Sequence, residues 1–437
     1  MEFLFVFHKD YETFRLPELD SVAKLLNVQI SYSGTLEEDD IFLVVKCPSE
    51  QDATNIANRC ILLRGVYEVL STGDTYENLA KNARVFIDQN PNWAERYLTE
   101  NTTFKLNVVT FGKKRPNKQE LIDNFMHLPW KGKVSLESPQ LQFDVLEACT
   151  LPRDKDFMNP KTVALYFCRK ISDSARDLIT KYDLKQRKFI GTTSMNASLS
   201  FLVANQGLVT SKSLIMDPFA GTGSLLVSAA HFGAHVIGSD IDIRVLRGKQ
   251  YNYKKKEIIK SLKTTEEKEQ WKEKQEIKDK DFNIKVNLDQ YGLTKKAGLD
   301  LVRIDLSQTY AWRFANNKIR KGPALDAIIC DPPYGIRAGA RKIGKEESEI
   351  KIIPEEKAKD HIPSRIAYEP EELMADLMEF AARSLVVGGR LVYWFHCGPD
   401  FIEDDLPKHP QFKLISNSID VMTQKQHRRL ITVEKFN

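Results

Sequence analysis

The string SLIMDPFAGTGSLLVSAAHFGAHVIGSDID, residues 213–242, constrains the fold more than any other part of the chain. Leu214 to Met216 reads as a strand, Gly221 and Gly223 as a turn, the alanine-rich stretch from Ser224 as a helix, and Val236 to Gly238 as the next strand. Strand, glycine turn, helix and strand in that order form the first half of a doubly wound α/β domain. Later strands are expected at Asp326 to Cys330 and Arg390 to Phe395, and the closing stretch 413–435 alternates as a hairpin does.

A glycine turn at a helix N-terminus lets the backbone pass close to a ligand and presents free N–H groups to it. No lysine ends the turn, so it is not a triphosphate loop. A dinucleotide would want GxGxxG, whereas Ser-Leu-Leu follows Gly223. An adenosyl ligand without a pyrophosphate remains, and its ribose needs an acid about 20 residues on. Asp240 lies 23 residues after Asp217 and fills that place, with Asp242 as the reserve. The reading is adenosylmethionine.

Asp331-Pro332-Pro333-Tyr334 follows the apolar run 327–330, which puts an acid in the crevice at the C-terminal end of a parallel strand. The prolines remove nearby N–H groups, so the Pro332 carbonyl can accept beside the Asp331 carboxylate. Two acceptors suit the two N–H bonds of a planar exocyclic amine, and Tyr334 can stack on the base that carries it. The glycine-punctuated loop after it, with Arg337 and Arg341, reads either as a holder of nearby phosphates or as a mere flexible linker.

Ahead of this domain, Phe3 to Phe7, Leu16 to Leu26 and Ile41 to Val45 read as strand, helix and strand. From Thr103 the expectation is a strand, a basic turn, a helix near Asn117, and strands around Val134 and Phe143. The net charge of +4 from 64 basic and 60 acidic residues excludes a uniform positive coat. It conceals +5 between Lys105 and Lys133, where Lys113, Lys114, Arg115 and Lys118 cluster beside Phe111, Phe125 and Trp130. Phosphate binding with base stacking and a solvated loop beside core aromatics both explain that pattern. His427, Arg428 and Arg429 offer another phosphate contact or a solvated turn. Residues 254–280, with ten lysines and seven acids, read as a charged insertion.

Six cysteines without a CxxC pair give neither a zinc nor a redox motif, and Gly233 between His231 and His235 argues against a metal pair there. No metal is expected. No apolar run reaches the roughly 18 residues of a membrane helix, and the opening MEFLFVFHKDYETF lacks a signal peptide's pattern. The expectation is a cytoplasmic protein with no membrane partner.

DPFAGTGS followed by DPPY resembles the amino-methyltransferases, which methylate exocyclic amines of nucleic-acid bases. The longer strings FIGTTSM (189–195), DPFAGTGSLLVSAAHFGAHVIGSDID (217–242) and CDPPYGIRAGARKIG (330–344) resemble the catalytic subunits of tRNA guanine-10 N2-methyltransferases, a resemblance that extends over nearly the whole chain. That resemblance implies an N-terminal ferredoxin-like segment (1–60), a THUMP RNA-binding domain with linker (61–184), and a Rossmann-like methyltransferase domain (185–437) with the insertion 254–280. It implies S-adenosylmethionine at Thr192, Thr193, Ser194, Asp217, Phe219, Gly221, Gly223, Asp240 and Asp305, the last at the adenine edge or else as a helix cap. It implies tRNA as substrate, methylated at guanosine N2 with Asp331, Pro332 and Tyr334 at the reacting amine, and a small zinc-binding activator subunit as partner. The alternatives are adenine N6 or cytosine N4 methylation of DNA or another RNA, and a non-catalytic RNA-binding assembly protein.

Overall fold

The computed structural model describes residues 1–32, 36, 40–112, 118–149, 162–246, 264–267, 283–311, 322–333, 340–344 and 364–437. They form two compact units: residues 1–10 with 26–176, and 11–25 with 177–437.

The first unit is built on one seven-stranded sheet. Its strands are β1 (Glu2–Phe7), β2 (Ser31–Tyr32), β3 (Phe42–Lys46), β4 (Leu63–Gly73), β5 (Phe104–Phe111), β6 (Leu141–Cys149) and β7 (Thr162–Asp173), in the order β2-β3-β1-β4-β7-β6-β5. All pairs are antiparallel except β5 with β6. The one sheet takes β1, β2 and β3 from before residue 60 and β4 to β7 from after it. The helix Tyr76–Gln89 is capped by Thr75, whose hydroxyl accepts from the Asn78 N–H, and buries Leu79, Ala80, Ala83 and Ile87 as one stripe.

Two expectations change in this unit. Phe125 is a core residue stacked on Phe167 at 4.7 Å, and partly buried Trp130 packs against that core with one face stacked on Phe104 at 4.5 Å. Phe111 is edge-on to Phe42 and carries Arg64 over its ring. Val134 makes only an isolated parallel bridge with Phe104, on the edge of β5 that β6 leaves open. The basic residues Lys113, Lys114 and Arg115 lie outside the described residues, and of Lys118 only its backbone, at the start of the helix Lys118–Asp123, is described.

The second unit is the expected doubly wound α/β domain. Its sheet contains β8 (Leu214–Asp217), β9 (His235–Asp240), β10 (Leu299–Arg303), β11 (Leu325–Cys330) and, after the small ribbon β12 (Arg341–Ile343) and β13 (Arg365–Ala367), the strands β14 (Leu385–Cys397), β15 (Phe412–Val421) and β16 (His427–Lys435). The order is β10-β9-β8-β11-β14-β16-β15, parallel up to β14 and closed by the antiparallel hairpin β15–β16. Because β9 and β10 lie on one side of β8 and β11 on the other, the order reverses between β8 and β11. Sheets of this kind bind ligands at that reversal, beyond the strands' C-terminal ends.

The helix Arg15–Leu25, which sequence grouped with residues 1–60, packs in the second unit through buried polar bonds. Asn205 Nδ2 donates to Glu18 Oε1 at 2.8 Å. Arg390 donates to Ser21 Oγ, to the Gln206 carbonyl and to Glu434 Oε2. A buried guanidinium is tolerable only with such partners, so the helix and strands β14 and β16 are tied together. The helix Ala197–Gln206 is buried on every face, as an apolar helix between layers must be.

Candidate active site

Three carboxylates stand at the C-terminal ends of adjacent strands: Asp217 on β8, Asp240 on β9 and Asp331 just after β11. The glycine turn lies above Asp217. Gly221 has φ 50° and Gly223 φ 78°, backbone that side chains rarely adopt. A Cβ on Gly223 would also sit 2.7 Å from Ile284 Cγ2, so that glycine is required twice over. The turn is laced to the strand ends. The Phe219 N–H donates to Asp217 Oδ1 (3.0 Å), the Gly221 N–H to Asp240 Oδ2 (3.1 Å), and the Ala220 N–H to the Ser239 carbonyl (2.7 Å). The helix Ser224–His231 begins directly after Gly223.

Burial decides the electrostatics of the three acids. Asp217 is fully buried, and desolvation, reinforced by the charges of Asp331 and Asp240, pushes its carboxyl well above the usual range. Asp240 is raised for the same reason, partly offset by the N–H groups of Asp242 and Gly221. Desolvation lifts Asp331 to about 6, against a smaller opposing pull from Arg428. Together they make a crevice floor that favours a cationic ligand.

The reserve acid Asp242 is committed elsewhere, paired with Arg365 at 3.5 Å while its N–H donates to Asp240 Oδ1. Asp305 behaves as a cap: Oδ1 takes the N–H and hydroxyl of Ser307, and Oδ2 the N–H of Ile343. In the segment 189–195, Thr192 and Thr193 are exposed, while Ser194 shares a 2.6 Å hydrogen bond with Thr222 inside the glycine turn. Pro332 is buried and Phe219 packs against the core that includes Met216 and Cys330. Arg341 is exposed at the start of β12, and Tyr334 and Arg337 lie outside the described residues.

Sequence reasoning missed the residues that hold this constellation together. Buried Asn287, on the helix Ile284–Gln290, accepts from the Phe189 N–H (2.9 Å) and donates to the Phe189 carbonyl (2.8 Å), clamping the segment 189–195 beside the turn. Its signal was a polar residue between the buried apolar positions Ile284 and Leu288. Arg187, also buried, donates to Ser224 Oγ at 2.9 Å, and burial pulls its pKa down. His231 and His235 are occupied separately, by Tyr182 and by Asp300.

Residues 1–176 match the family described as Tmrp11 THUMP N-terminal domain, and residues 185–347 the RMKL-like methyltransferase domain. The human tRNA (guanine(10)-N(2))-methyltransferase TRMT11 is 36% identical over 438 residues, covering 99% of this chain and 88% of its own length. The Dictyostelium discoideum protein of the same name is 36% identical over 460 residues, covering 100% and 82%. Among solved structures, TrmN from Thermus thermophilus aligns over 100% of both chains with 13% identity and a TM-score of 0.46. With a THUMP region, a methyltransferase domain and end-to-end similarity of this degree, the chain belongs to the tRNA (guanine(10)-N(2))-methyltransferase family.

Proposed function

We propose that this protein transfers a methyl group from S-adenosylmethionine to the exocyclic N2 of guanosine 10 in tRNA, with Asp331 as the acceptor for the amine protons. The observation that carries the reading is the pair Asp217 and Asp331 on either side of the strand-order reversal, in a chain related end to end to enzymes of that name.

The residues fit the cofactor. Two glycines with positive φ remove side chains from the turn, the helix after Gly223 presents its N-terminus, and Asp240 keeps lone pairs for the ribose hydroxyls beside the N–H groups it already accepts. The three desolvated carboxylates would be relieved by a positive sulfonium and α-ammonium. When bound, the cofactor supplies an electrophilic methyl on sulfur.

The guanine N2 lone pair is delocalised into the ring, so the protein's task is positioning. Asp331 and the Pro332 carbonyl accept the two N2–H bonds, which aims the lone pair away from them along the line of transfer. As the N2–CH₃ bond forms and the methyl–sulfur bond breaks, leaving the neutral thioether S-adenosylhomocysteine, one N2 proton would pass to the Asp331 carboxylate. An acid held near 6 is ionised at neutral pH and more basic than an ordinary aspartate, which suits that role. Tyr334 stacks on the base; Thr192, Thr193 and Ser194 flank the methionine portion. The basic stretch around Lys113, Lys114, Arg115 and Lys118, with Arg337 and Arg341, holds phosphate, and a small zinc-binding activator subunit completes the cytoplasmic enzyme.

The test is methyl transfer from tritiated S-adenosylmethionine to tRNA, with and without such a subunit. Incorporation into tRNA supports the reading. Incorporation into duplex DNA alone makes the protein a DNA amino-methyltransferase, and absence of cofactor binding makes it a non-catalytic assembly protein.

A further inference from the structure

β14 does not stop where β11 stops. The last paired residues are Cys330 and Tyr393, and β14 runs on through Trp394, Phe395, His396 and Cys397, antiparallel to β16 throughout. The projecting strands stand beside Asp331.

Side chains alternate along a strand, and residues paired across a ladder share a face. Cys330 and Tyr393 point into the core with Leu377 and Phe380. Asp331 and Trp394 therefore fall on the opposite face, as do His396 and its cross-strand partner Arg428. That face is covered by the helix Ala197–Gln206, where Gly207 lies against Ile329, and by Phe14, whose ring is 6.0 Å from Trp394. The same helix starts at Asn196, directly after the segment 189–195. Asp331, His396 and the start of that helix thus share one edge and one face.

The charges agree with this placement. The Arg428 guanidinium lowers the pKa of both Asp331 and His396. It is also immobilised: it forms an ion pair with Asp420 at 2.8 Å and lies over the Trp394 ring at 4.5 Å. Arg429 donates to Asn417 and lies over Phe401. Arg428 and Arg429, which sequence read as a phosphate contact or a solvated turn, are thus engaged by Asp420, Asn417, Trp394 and Phe401.

We propose that His396 is a specificity-determining residue that reads the N1–H and O6 edge of the target guanine while Asp331 holds N2. The inference rests on the proposed N2 methylation. Half-buried, and held by desolvation and Arg428 at about 4, the imidazole is neutral at physiological pH. A neutral ring has one acceptor nitrogen, which complements the N1–H beside N2, and one donor nitrogen, which complements O6 beyond it. A protonated ring would offer only donors and could not accept from N1–H.

Three bases carry the 2-amine but differ at this edge: guanine, 2,6-diaminopurine and 2-aminopurine. The full-length enzyme is assayed on tRNA transcripts bearing each at the target position, with cofactor binding measured in parallel. The wild type should prefer guanine. His396→Phe should cut that preference about 10- to 100-fold, the span of one base-edge contact, and His396→Gln should keep most of it. Equal loss on all three bases with His396→Phe, or no guanine preference in the wild type, would overturn the proposal. A wild type that methylates none of the three at N2 overturns the N2 reading itself, and this inference with it.

Discussion

Replacing Asp331 with asparagine separates the needs of the fold from those of the reaction. Burial raises this carboxyl from 3.8 to about 6. Above pH 6 the native state therefore holds a carboxylate that the unfolded chain keeps more comfortably in water. At about 1.4 kcal/mol for each pKa unit the full cost is about 3 kcal/mol, and partial exposure of the side chain reduces it to ~1.5 kcal/mol. Between pH 3.8 and 6 the native state binds a proton that the unfolded chain has released, so wild-type stability falls as pH rises through that window. Asp331→Asn removes the titration and also relieves Asp217, whose carboxyl the Asp331 charge helps to raise. At pH 7.5 the variant should melt roughly 3 to 6 °C higher than the wild type, and the difference should shrink towards pH 4. Its methyl transfer should fall by about 100-fold or more with cofactor affinity largely kept. Differential scanning fluorimetry across pH and a tritium-transfer assay measure the two halves. Near-normal turnover would refute the acceptor role, and a pH-independent stability difference would refute the desolvation argument.

Wild-type kcat should rise with pH through about 6 as Asp331 ionises, a limb that the Asp331→Asn variant's residual activity lacks. Gly223→Ala faces both φ 78° and the 2.7 Å approach to Ile284, so a loss of about 1 to 3 kcal/mol and a sharp drop in S-adenosylmethionine affinity are expected by thermal melt and calorimetry. Asn287→Leu strands the Phe189 N–H and carbonyl in a buried place. It should cost about 2 to 4 kcal/mol and raise the KM for the cofactor more than it lowers kcat. Asp240→Asn should weaken cofactor binding about tenfold or more while leaving tRNA binding unchanged in a filter assay.

The doubly wound domain was legible because each of its steps leaves a local mark. A strand's apolar run, a GTG turn and an acid at the next strand end are read within thirty residues, and Asp217, Gly221, Gly223 and Asp240 meet as that string implies. The hairpin β15–β16 was legible from alternation, but not its antiparallel docking on β14, which sets Arg428 near Asp331. What escaped was long-range. Asn287 meets Phe189 across nearly a hundred residues. The helix Arg15–Leu25 joins the second unit because Glu18 and Ser21 find Asn205 and Arg390, a pairing no periodicity carries. The aromatics near the basic stretch left two readings open for a physical reason: a tryptophan or phenylalanine looks the same in sequence whether it stacks on a base or on Phe104 and Phe167.

The central claim is tested most directly by nucleoside mass spectrometry, with position mapping, of tRNA from cells lacking this protein. The account predicts loss of N2-methylguanosine at position 10, restored by the wild type and not by Asp331→Asn. Undiminished N2-methylguanosine at that position in the deleted cells would contradict it.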